Sequence, residues 1–192
     1  MRTEWYGSAD YGPDDDGQLS LAMTCIVTLR LDEASQEHFE RLRQLHFPAA
    51  RNLIPAHLTL FHRLPDVLEV RTALAEVAGR EPAFPVDVTG VRSLGYGVAY
   101  TLTSPVLQRV HGGLAAVFES WLSAQDRQRF APHIVVQNKA TAEAARVLLG
   151  ELRQGFQPMR VKACGLDLWE YLGGPWRWLE TFQFGEVDGD EA

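Results

Sequence analysis

The pattern of hydrophobic and polar residues along the chain predicts alternating strands and helices. Runs rich in β-branched and apolar residues, bounded by turn residues, are typical of strands. Apolar residues at helical spacing, such as Phe39, Leu42 and Leu45, indicate helices. Strands are predicted at 21–32, 56–62, 84–94, 97–103, 131–137, 158–171 and 176–184. Helices are predicted at 33–47, 64–79, 105–124 and 141–154.

Two of the predicted helices carry local start signals. Asp66 followed three residues later by Glu69 is a capping-box arrangement, which predicts Asp66 as the cap of the second helix. Ser104 followed by Pro105 predicts a cap and a first helical residue for the third helix. These signals predict where the two helices begin.

The order of the elements contains a weak internal repeat. His57 begins a strand that is followed by a helix, a turn, a strand with a glycine and a hairpin, and His133 begins the same series. Gly90 lies 33 residues after His57, and Gly165 lies 32 residues after His133. The repeat predicts two similar α+β lobes related by a pseudo-twofold axis, with a cleft between them.

The composition fits this size of fold. The chain has 192 residues, of which 46% are hydrophobic and 22% charged, as expected for one domain or two small lobes that share a core. We expect one bilobal domain at 21–184, with interleaved lobes at about 21–95 and 96–184. No apolar run approaches the roughly 20 residues of a membrane-spanning helix.

The location of the protein follows from its cysteines and its first residues. The N-terminal sequence has neither the basic start nor the apolar run of a signal peptide. Cys25 and Cys164 are too few for a disulfide framework. We therefore expect reduced thiols and a cytoplasmic protein that does not bind membranes.

The net charge of −7 is concentrated near the ends of the chain. Five acidic residues lie in 1–17 and four in 185–192, which leaves 16 acids against 17 bases in 18–184. We therefore predict acidic, disordered tails at 1–20 and 185–192. Sixteen of the 18 basic residues are arginines, which suit forked contacts to phosphate. Because no Lys/Arg run is present, we expect a small phosphate ester or RNA end as partner and no long duplex.

The two histidine strands predict matching sets of side chains. Alternate side chains of a strand share a face, and the apolar residues between them would pack under helices. The sets that should face the cleft are His57, Thr59 and Phe61 in the first strand and His133, Val135 and Gln137 in the second. A lone strand histidine is more often structural, but the tandem arrangement favours a functional pair.

A metal site is not indicated by the sequence. His62 lies five residues after His57 and should face the opposite side of its strand, which argues against a metal-binding pair. No cysteine or carboxylate lies at ligand spacing from either motif. We interpret His62, like the remaining histidines, as a surface or core residue.

The paired motifs "AHLTLFH" and "PHIVVQN" resemble those of the two-histidine phosphoesterase superfamily, and within it the 2′,5′-RNA ligase-like proteins. Supporting stretches are "IPAHLTLFHRLP", "LGYGVAYTL", "QDRQRFAPHIVVQNK" and "GLDLWEYLGGPW". The resemblance covers about 21–184 and implies the fold of that superfamily. That fold is α+β and bilobal, with two antiparallel sheets flanking a central cleft and the helices outside.

The resemblance also implies a chemistry. His57 and His133 would be the general acid and base, and Thr59 would donate to the phosphate. Two imidazoles with a pKa of about 6.5 can hold opposite protonation states at neutral pH. The implied substrate is a 2′,3′-cyclic phosphate or a 2′,5′-linked RNA end or small nucleotide, with RNA ligation as the reverse reaction. A monomer with no metal and no cofactor would suffice.

The second motif departs from the family pattern at Val135, which has the shape of threonine without its hydroxyl. A hydrogen bond to a charged group is worth about 1.5–3 kcal/mol, so its loss would slow the reaction roughly 10- to 150-fold. Gln137, Arg127 or Arg129 could supply the donor instead. If nothing does, Val135→Thr should raise activity.

Two other functions stay open because of this departure. The chain could be a binding module for nucleotides or RNA ends that lacks turnover, or it could act on a phosphate ester that is not a nucleotide. Trp169 and Tyr171, near Trp176, could stack on a base or could be ordinary hairpin and core aromatics.

Overall fold

The computed structural model describes residues 23–186, so the predicted N-terminal tail and most of the C-terminal one lie outside it. Within this part of the chain, strands and helices alternate as the sequence predicts. The strands are β1 (Thr24–Leu31), β2 (Leu58–Pro65), β3 (Phe84–Ser93), β4 (Val98–Thr103), β5 (His133–Gln137), β6 (Met159–Tyr171) and β7 (Trp176–Gln183). The α-helices are α1 (Glu33–His46), α2 (Leu68–Arg80), α3 (Pro105–Val117) and α4 (Ala142–Gln154), and Ala49–Arg51 form a 3₁₀ turn.

The strands form an antiparallel sheet in the order β2-β1-β6-β3-β4-β5, with β7 paired to β6. The long strand β6 joins its two parts. Residues 159–163 of β6 pair with β3, whereas residues 165–171 pair with β7. The two predicted sheets are therefore continuous with each other through β6.

The two halves of the chain exchange their third strands. The first half runs β1-α1-β2-α2-β3 and the second runs β4-α3-β5-α4-β6. Strand β1 pairs with β2 and β6, while β4 pairs with β5 and β3. We call β2, β1, β7 and the second part of β6 the first lobe, and β5, β4 and β3 the second lobe. The lobes are therefore interleaved along the chain.

One helix of each half is exchanged in the same way, namely α1 and α3. Helix α2 packs on β6 and β7 of the first lobe, whereas α1 packs on β5 and α4 on β3 and β4 of the second lobe. Phe118, just after α3, meets Phe61 of the first lobe edge-on at 5.3 Å, and Phe39 of α1 meets Tyr100 of the second lobe at 5.5 Å. Each helix pair thus covers the apolar face of one lobe.

The helix starts confirm one predicted cap and correct the other. The Ser104 hydroxyl accepts a hydrogen bond from the Leu107 N–H at 3.4 Å, and Pro105 is the first residue of α3. The capping-box prediction for α2 was wrong, because Val67 is the cap residue and makes no side-chain cap bond. Asp66 instead accepts from the Arg71 guanidinium at 2.8 and 3.1 Å.

Helix α3 ends at Val117, earlier than predicted. The chain turns after Phe118, where the N–H groups of Trp121 and Leu122 both donate to the Phe118 carbonyl. No helix among residues 23–186 is long and apolar enough to cross a membrane. Both cysteines, Cys25 and Cys164, are free thiols.

Candidate active site

The two motif histidines have the same local arrangement. His57 lies just before β2, and its Nδ1 is 2.7 Å from the Pro55 carbonyl oxygen. His133 is the first residue of β5, and its Nδ1 is 2.9 Å from the Ala131 carbonyl oxygen. Because a carbonyl only accepts, Nδ1 carries the proton in both rings and Nε2 is left as the free basic nitrogen. The repeat therefore extends to the tautomer of each imidazole.

The imidazoles lie close enough to interact electrostatically, because β2 and β5 approach each other where the lobes meet. The pKa of His57 is lowered to about 3, mainly by burial, and the charges of Arg43, His62 and His133 contribute to this decrease. Burial also lowers the pKa of His133, helped by the charges of Arg92 and His62. Both rings are consequently neutral at pH 7, and the positive charges around them favour an anion.

A β-bulge in β2 changes which side chains face the cleft. Thr59 pairs with Thr28 of β1, but the next pair is Phe61 with Val27, so Leu60 is an extra residue. Thr59 stays on the side of His57. Phe61 is turned to the helix side, where it is fully buried and stacks on His111 at 4.8 Å. The prediction that Phe61 faces the cleft was therefore wrong.

Strand β5 contains a bulge at the matching place. Val135 pairs with Ala99 of β4, and the next pair is Gln137 with Val98, which leaves Val136 as the extra residue. Gln137 therefore lies on the core side with Val98, and its amide oxygen is buried without a hydrogen-bond partner. The prediction that Gln137 shares the face of Val135 and replaces the missing hydroxyl was wrong.

The bulge in β2 also places His62 near the site. Its charge contributes to the lowered pKa of both His57 and His133, so it does not face away from them as the alternation predicted. Its Nδ1 lies 2.9 Å from the Asp126 Oδ1. Burial alone would raise the pKa of Asp126, but hydrogen bonds from His62 and Ser123 hold it below its ordinary value. His62 is thus held by a buried carboxylate.

Thr59 belongs to a row of polar residues across the first lobe. It pairs with Thr28 of β1, which pairs with Asp167 of β6. The Thr28 hydroxyl accepts from Trp169 Nε1 at 2.9 Å, and Asp167 accepts from Thr181 at 2.5 Å. These contacts occupy the neighbours of Thr59. Its own hydroxyl makes no side-chain hydrogen bond to a residue within 23–186.

Arg43 of α1 connects the two motifs. It is 3% exposed, and its guanidinium donates to Asn52 Oδ1 at 2.8 Å and to the Val135 carbonyl at 2.9 Å. Burial lowers its pKa to about 10, which still leaves it charged at pH 7. Arg43 was not among the predicted site residues, although its spacing of four from Phe39 puts it on the apolar stripe of the helix.

Helix α1 also fixes the backbone just before His57. Gln36 Nε2 donates to the Ala56 carbonyl at 2.8 Å. The Ala56 N–H donates to a Glu40 carboxylate oxygen at 2.7 Å. Because α1 packs on β5 of the other lobe, one helix sets the place of both histidines.

Aromatic residues form a wall beside His57. Trp176 of β7 lies 4.6 Å from the His57 ring, and Trp169 of β6 lies 6.2 Å from Trp176, measured between ring centroids. Tyr171 is paired with Trp176 at the hairpin end and is partly exposed. Trp176, which was not among the predicted site residues, thus contacts His57 directly. Contact of Trp169 and Tyr171 with a substrate stays a prediction.

The two upstream arginines differ in their contacts. Arg127 is exposed, and its guanidinium donates to the Leu122 carbonyl at 3.3 Å and to the Glu119 carbonyl, so it holds the turn after α3. Arg129 is also exposed, and its role in binding phosphate stays a prediction. Among residues 23–186, no group of three or more His, Cys, Asp or Glu could hold a metal ion.

Comparison with known proteins agrees with this architecture. Residues 31–175 match the 2'-5' RNA ligase superfamily. TT0787 of Thermus thermophilus superposes with a TM-score of 0.63 at 19% identity, covering 86% of this chain and 100% of that one. A phosphoesterase has a TM-score of 0.57 at 20% identity, with 86% and 100% covered. E. coli LigT complexed with 3'-AMP has a TM-score of 0.57 at 19% identity, with 85% and 99% covered. No curated protein sequence matches the chain.

Proposed function

The chain belongs to the 2'-5' RNA ligase superfamily, and we propose that it is a phosphodiesterase that acts on a 2′,3′-cyclic phosphate or a 2′,5′ linkage. The substrate would be an RNA end or a small nucleotide. His57 and His133 would be the acid–base pair, and Thr59 would donate to a phosphate oxygen. Ligation of RNA ends would be the same chemistry in reverse.

The observation that carries the proposal is the shared tautomer of the two histidines. In each, Nδ1–H donates to the carbonyl two residues earlier, at 2.7 Å for His57 and 2.9 Å for His133. This bond leaves Nε2 free, and it also stabilises the ring when Nε2 gains a proton. Each histidine can therefore accept or donate a proton at the same atom.

The proposed hydrolysis uses one histidine in each protonation state. The neutral imidazole removes a proton from water while the oxygen–phosphorus bond forms. The bond from phosphorus to the ribose oxygen breaks, and the second, protonated imidazole gives its proton to that oxygen. Such assistance is typically worth about 10²- to 10⁴-fold in rate. Exchange of protons with solvent restores the starting states.

Binding of the phosphate would supply the protonated histidine. Burial lowers the pKa of both rings in the free protein. A phosphate anion beside them favours the charged form and therefore raises these pKa values again. E. coli LigT has been solved with 3'-AMP, a nucleoside monophosphate, which supports a nucleotide as ligand. We propose a monomer with a small phosphodiester or RNA end as its partner.

The alternative is a binding module without turnover, and Val135 is the observation that favours it. Its side chain has no donor for the phosphate, and Gln137 is turned to the core. Such a protein would bind a nucleotide or RNA end in the same cleft and leave it intact.

The test is turnover of adenosine 2′,3′-cyclic phosphate in the presence of EDTA. The wild type should hydrolyse it, and His57→Ala and His133→Ala should each reduce kcat by about 10²- to 10⁴-fold. His46→Ala is the matched control, because His46 is the last residue of α1 and belongs to neither motif. Binding of the nucleotide without any turnover in the wild type would favour the binding module.

A further inference from the structure

The second lobe contains a row of residues that corresponds to the Thr59 row. Val135 pairs with Ala99 of β4, and Ala99 pairs with Arg92 of β3. Residues directly opposite each other in antiparallel strands point to the same face. Arg92, Ala99 and Val135 therefore lie side by side on the face that carries His133.

Arg92 takes the place that Asp167 has in the first lobe. Asp167 lies two residues after Gly165, and Arg92 lies two residues after Gly90, the glycine that matches Gly165 in the repeat. Asp167 is occupied by Thr181 and Arg30. The row of the second lobe, which has Val135 in place of a hydroxyl residue, thus has the Arg92 guanidinium at its other end.

The Arg92 guanidinium has no partner within the described chain. Its Nε is buried and makes no hydrogen bond, and the side chain forms no ion pair with any residue of 23–186. A buried donor on a charged group is costly to leave unpaired. Such a group is expected where a ligand supplies the missing acceptor.

We propose that Arg92 is the phosphate-binding residue of the second lobe and replaces the hydroxyl that Val135 lacks. This inference rests on the proposed function. Strands are 4.7–4.9 Å apart, so Arg92 and Val135 are separated by about 9.5 Å at the backbone. The methyl group of Ala99 leaves room for the guanidinium to lie across β4 toward the space above Val135.

The surroundings of His133 agree with this placement. The charge of Arg92 contributes to the lowered pKa of His133, so the two groups are near each other. His133 pairs with Thr101, which neighbours Ala99 two residues along β4. A phosphate between His133 and Arg92 would receive forked donors, which a guanidinium provides and a lysine does not.

The experiment is a double-mutant cycle on Arg92 and Val135, measured as kcat/KM for adenosine 2′,3′-cyclic phosphate. Arg92→Met should lower kcat/KM roughly 10- to 150-fold. Val135→Thr alone should change it by less than about twofold, because the phosphate already has its donor. In the Arg92→Met background, Val135→Thr should restore at least about tenfold. An unchanged Arg92→Met, or equal effects of Val135→Thr in both backgrounds, would overturn the inference.

Two controls separate a binding role from a structural one. Arg160→Met removes an exposed arginine of β6 that pairs with Asp87 at 2.9 Å, and it should leave kcat/KM unchanged. Arg92→Met should melt no lower than the wild type, because its buried Nε has no partner to lose. Loss of activity together with a lower melting temperature would overturn the inference.

Calorimetric titration with 3′-AMP distinguishes this inference from the proposed function. Arg92→Met should weaken 3′-AMP binding roughly 10-fold or more. If the wild type binds 3′-AMP through Arg92 but never hydrolyses the cyclic phosphate, the proposed function fails and the Arg92 site stands. If turnover depends on both histidines but Arg92→Met binds and reacts like the wild type, the Arg92 site fails and the function stands.

Discussion

The two lobes repeat their geometry and differ in their chemistry. Each has a histidine with its Nδ1 bonded to the carbonyl two residues before it, and each has a bulge just before the fourth residue after that histidine. The side chains at matching places are not alike. In the second lobe, Val135 takes the place of Thr59, Gln137 that of Phe61, Ala99 that of Thr28, and Arg92 that of Asp167.

This difference shows which part of the site is fixed by the fold. The backbone of the repeat sets the place and tautomer of the histidines. The remaining polar groups lie on different strands, since the first lobe has the Thr59 hydroxyl on β2 and the second has the Arg92 guanidinium on β3. Substitutions of matching residues in the two lobes test this division.

The largest difference in stability is expected between substitutions of Phe61 and Gln137, which lie four residues after His57 and His133. Phe61 fills the core under α3, so Phe61→Ala should lower the free energy of unfolding by about 3–5 kcal/mol. Gln137 has an unpaired buried amide oxygen at the matching place. Gln137→Leu should therefore leave the stability unchanged or raise it by up to about 1 kcal/mol. Urea unfolding measures both.

A large loss of stability in Phe61→Ala without a loss in Gln137→Leu would confirm that the matching places of the two lobes are filled differently. A loss of stability in Gln137→Leu as large as that in Phe61→Ala would show that Gln137 makes contacts needed by the fold.

The next effect concerns Arg43, which links the lobes. Arg43→Met would leave the acceptors Asn52 Oδ1 and the Val135 carbonyl without their charged donor. The loss should lower the free energy of unfolding by about 3 kcal/mol. Because the segment before His57 and the strand of His133 would both be released, kcat should fall as well. Urea unfolding and turnover of the cyclic phosphate measure the two effects.

Arg41→Met is the matched control on the same helix. Arg41 makes an exposed pair with Glu37 at 3.5 Å, and such pairs contribute about 0.3–0.5 kcal/mol. Equal losses in the two variants would contradict the role of Arg43 as a link.

The reciprocal test of the hydroxyl is Thr59→Val, which makes the first motif like the second. The first lobe has no free arginine in the matching row, because Asp167 occupies that place. Thr59→Val should therefore lower kcat/KM roughly 10- to 150-fold, with stability nearly unchanged. Steady-state kinetics with the cyclic phosphate measure this. A kcat/KM within about twofold of the wild type would show that Thr59 does not touch the phosphate.

Much of the fold could be predicted from the sequence because its signals are local. The strand and helix patterns, the Ser104 cap and the histidine repeat all depend on residues close together in the chain. The exchange of helices and third strands between the lobes does not depend on such local signals. It depends on which apolar faces meet in three dimensions, as Phe39 and Tyr100 do across the two halves.

The bulges account for the site residues that were predicted wrongly. A strict period of two places Phe61 and Gln137 beside the histidines, and one extra residue moves both to the core. In β2, the successive apolar residues Leu60 and Phe61 are a signal of the bulge. In β5, Gln137 is polar, so its burial could not be read from the pattern. Arg43 and Arg92 were not predicted, because helix packing and strand pairing between residues far apart in the sequence place them beside the second motif.

The smallest expected effect is the pH dependence of stability that each histidine contributes. Burial lowers the pKa of His57 to about 3 and lowers that of His133 as well. The unfolded chain, with a pKa near 6.5, therefore binds protons more readily than the folded one. The free energy of unfolding should be highest above about pH 6.5 and should fall as the pH drops toward the folded pKa.

The two histidines can be compared by removing one at a time. His38, His46 and His111 also have lowered pKa values, so the wild-type curve alone does not isolate the site. Urea unfolding between pH 7 and 5.5 should show that His57→Ala removes about 1 kcal/mol of the decrease. His133→Ala should also make the decrease smaller, because burial lowers the pKa of His133 as well. A His57→Ala or His133→Ala curve parallel to that of the wild type would mean that the imidazole removed is not desolvated in the folded protein.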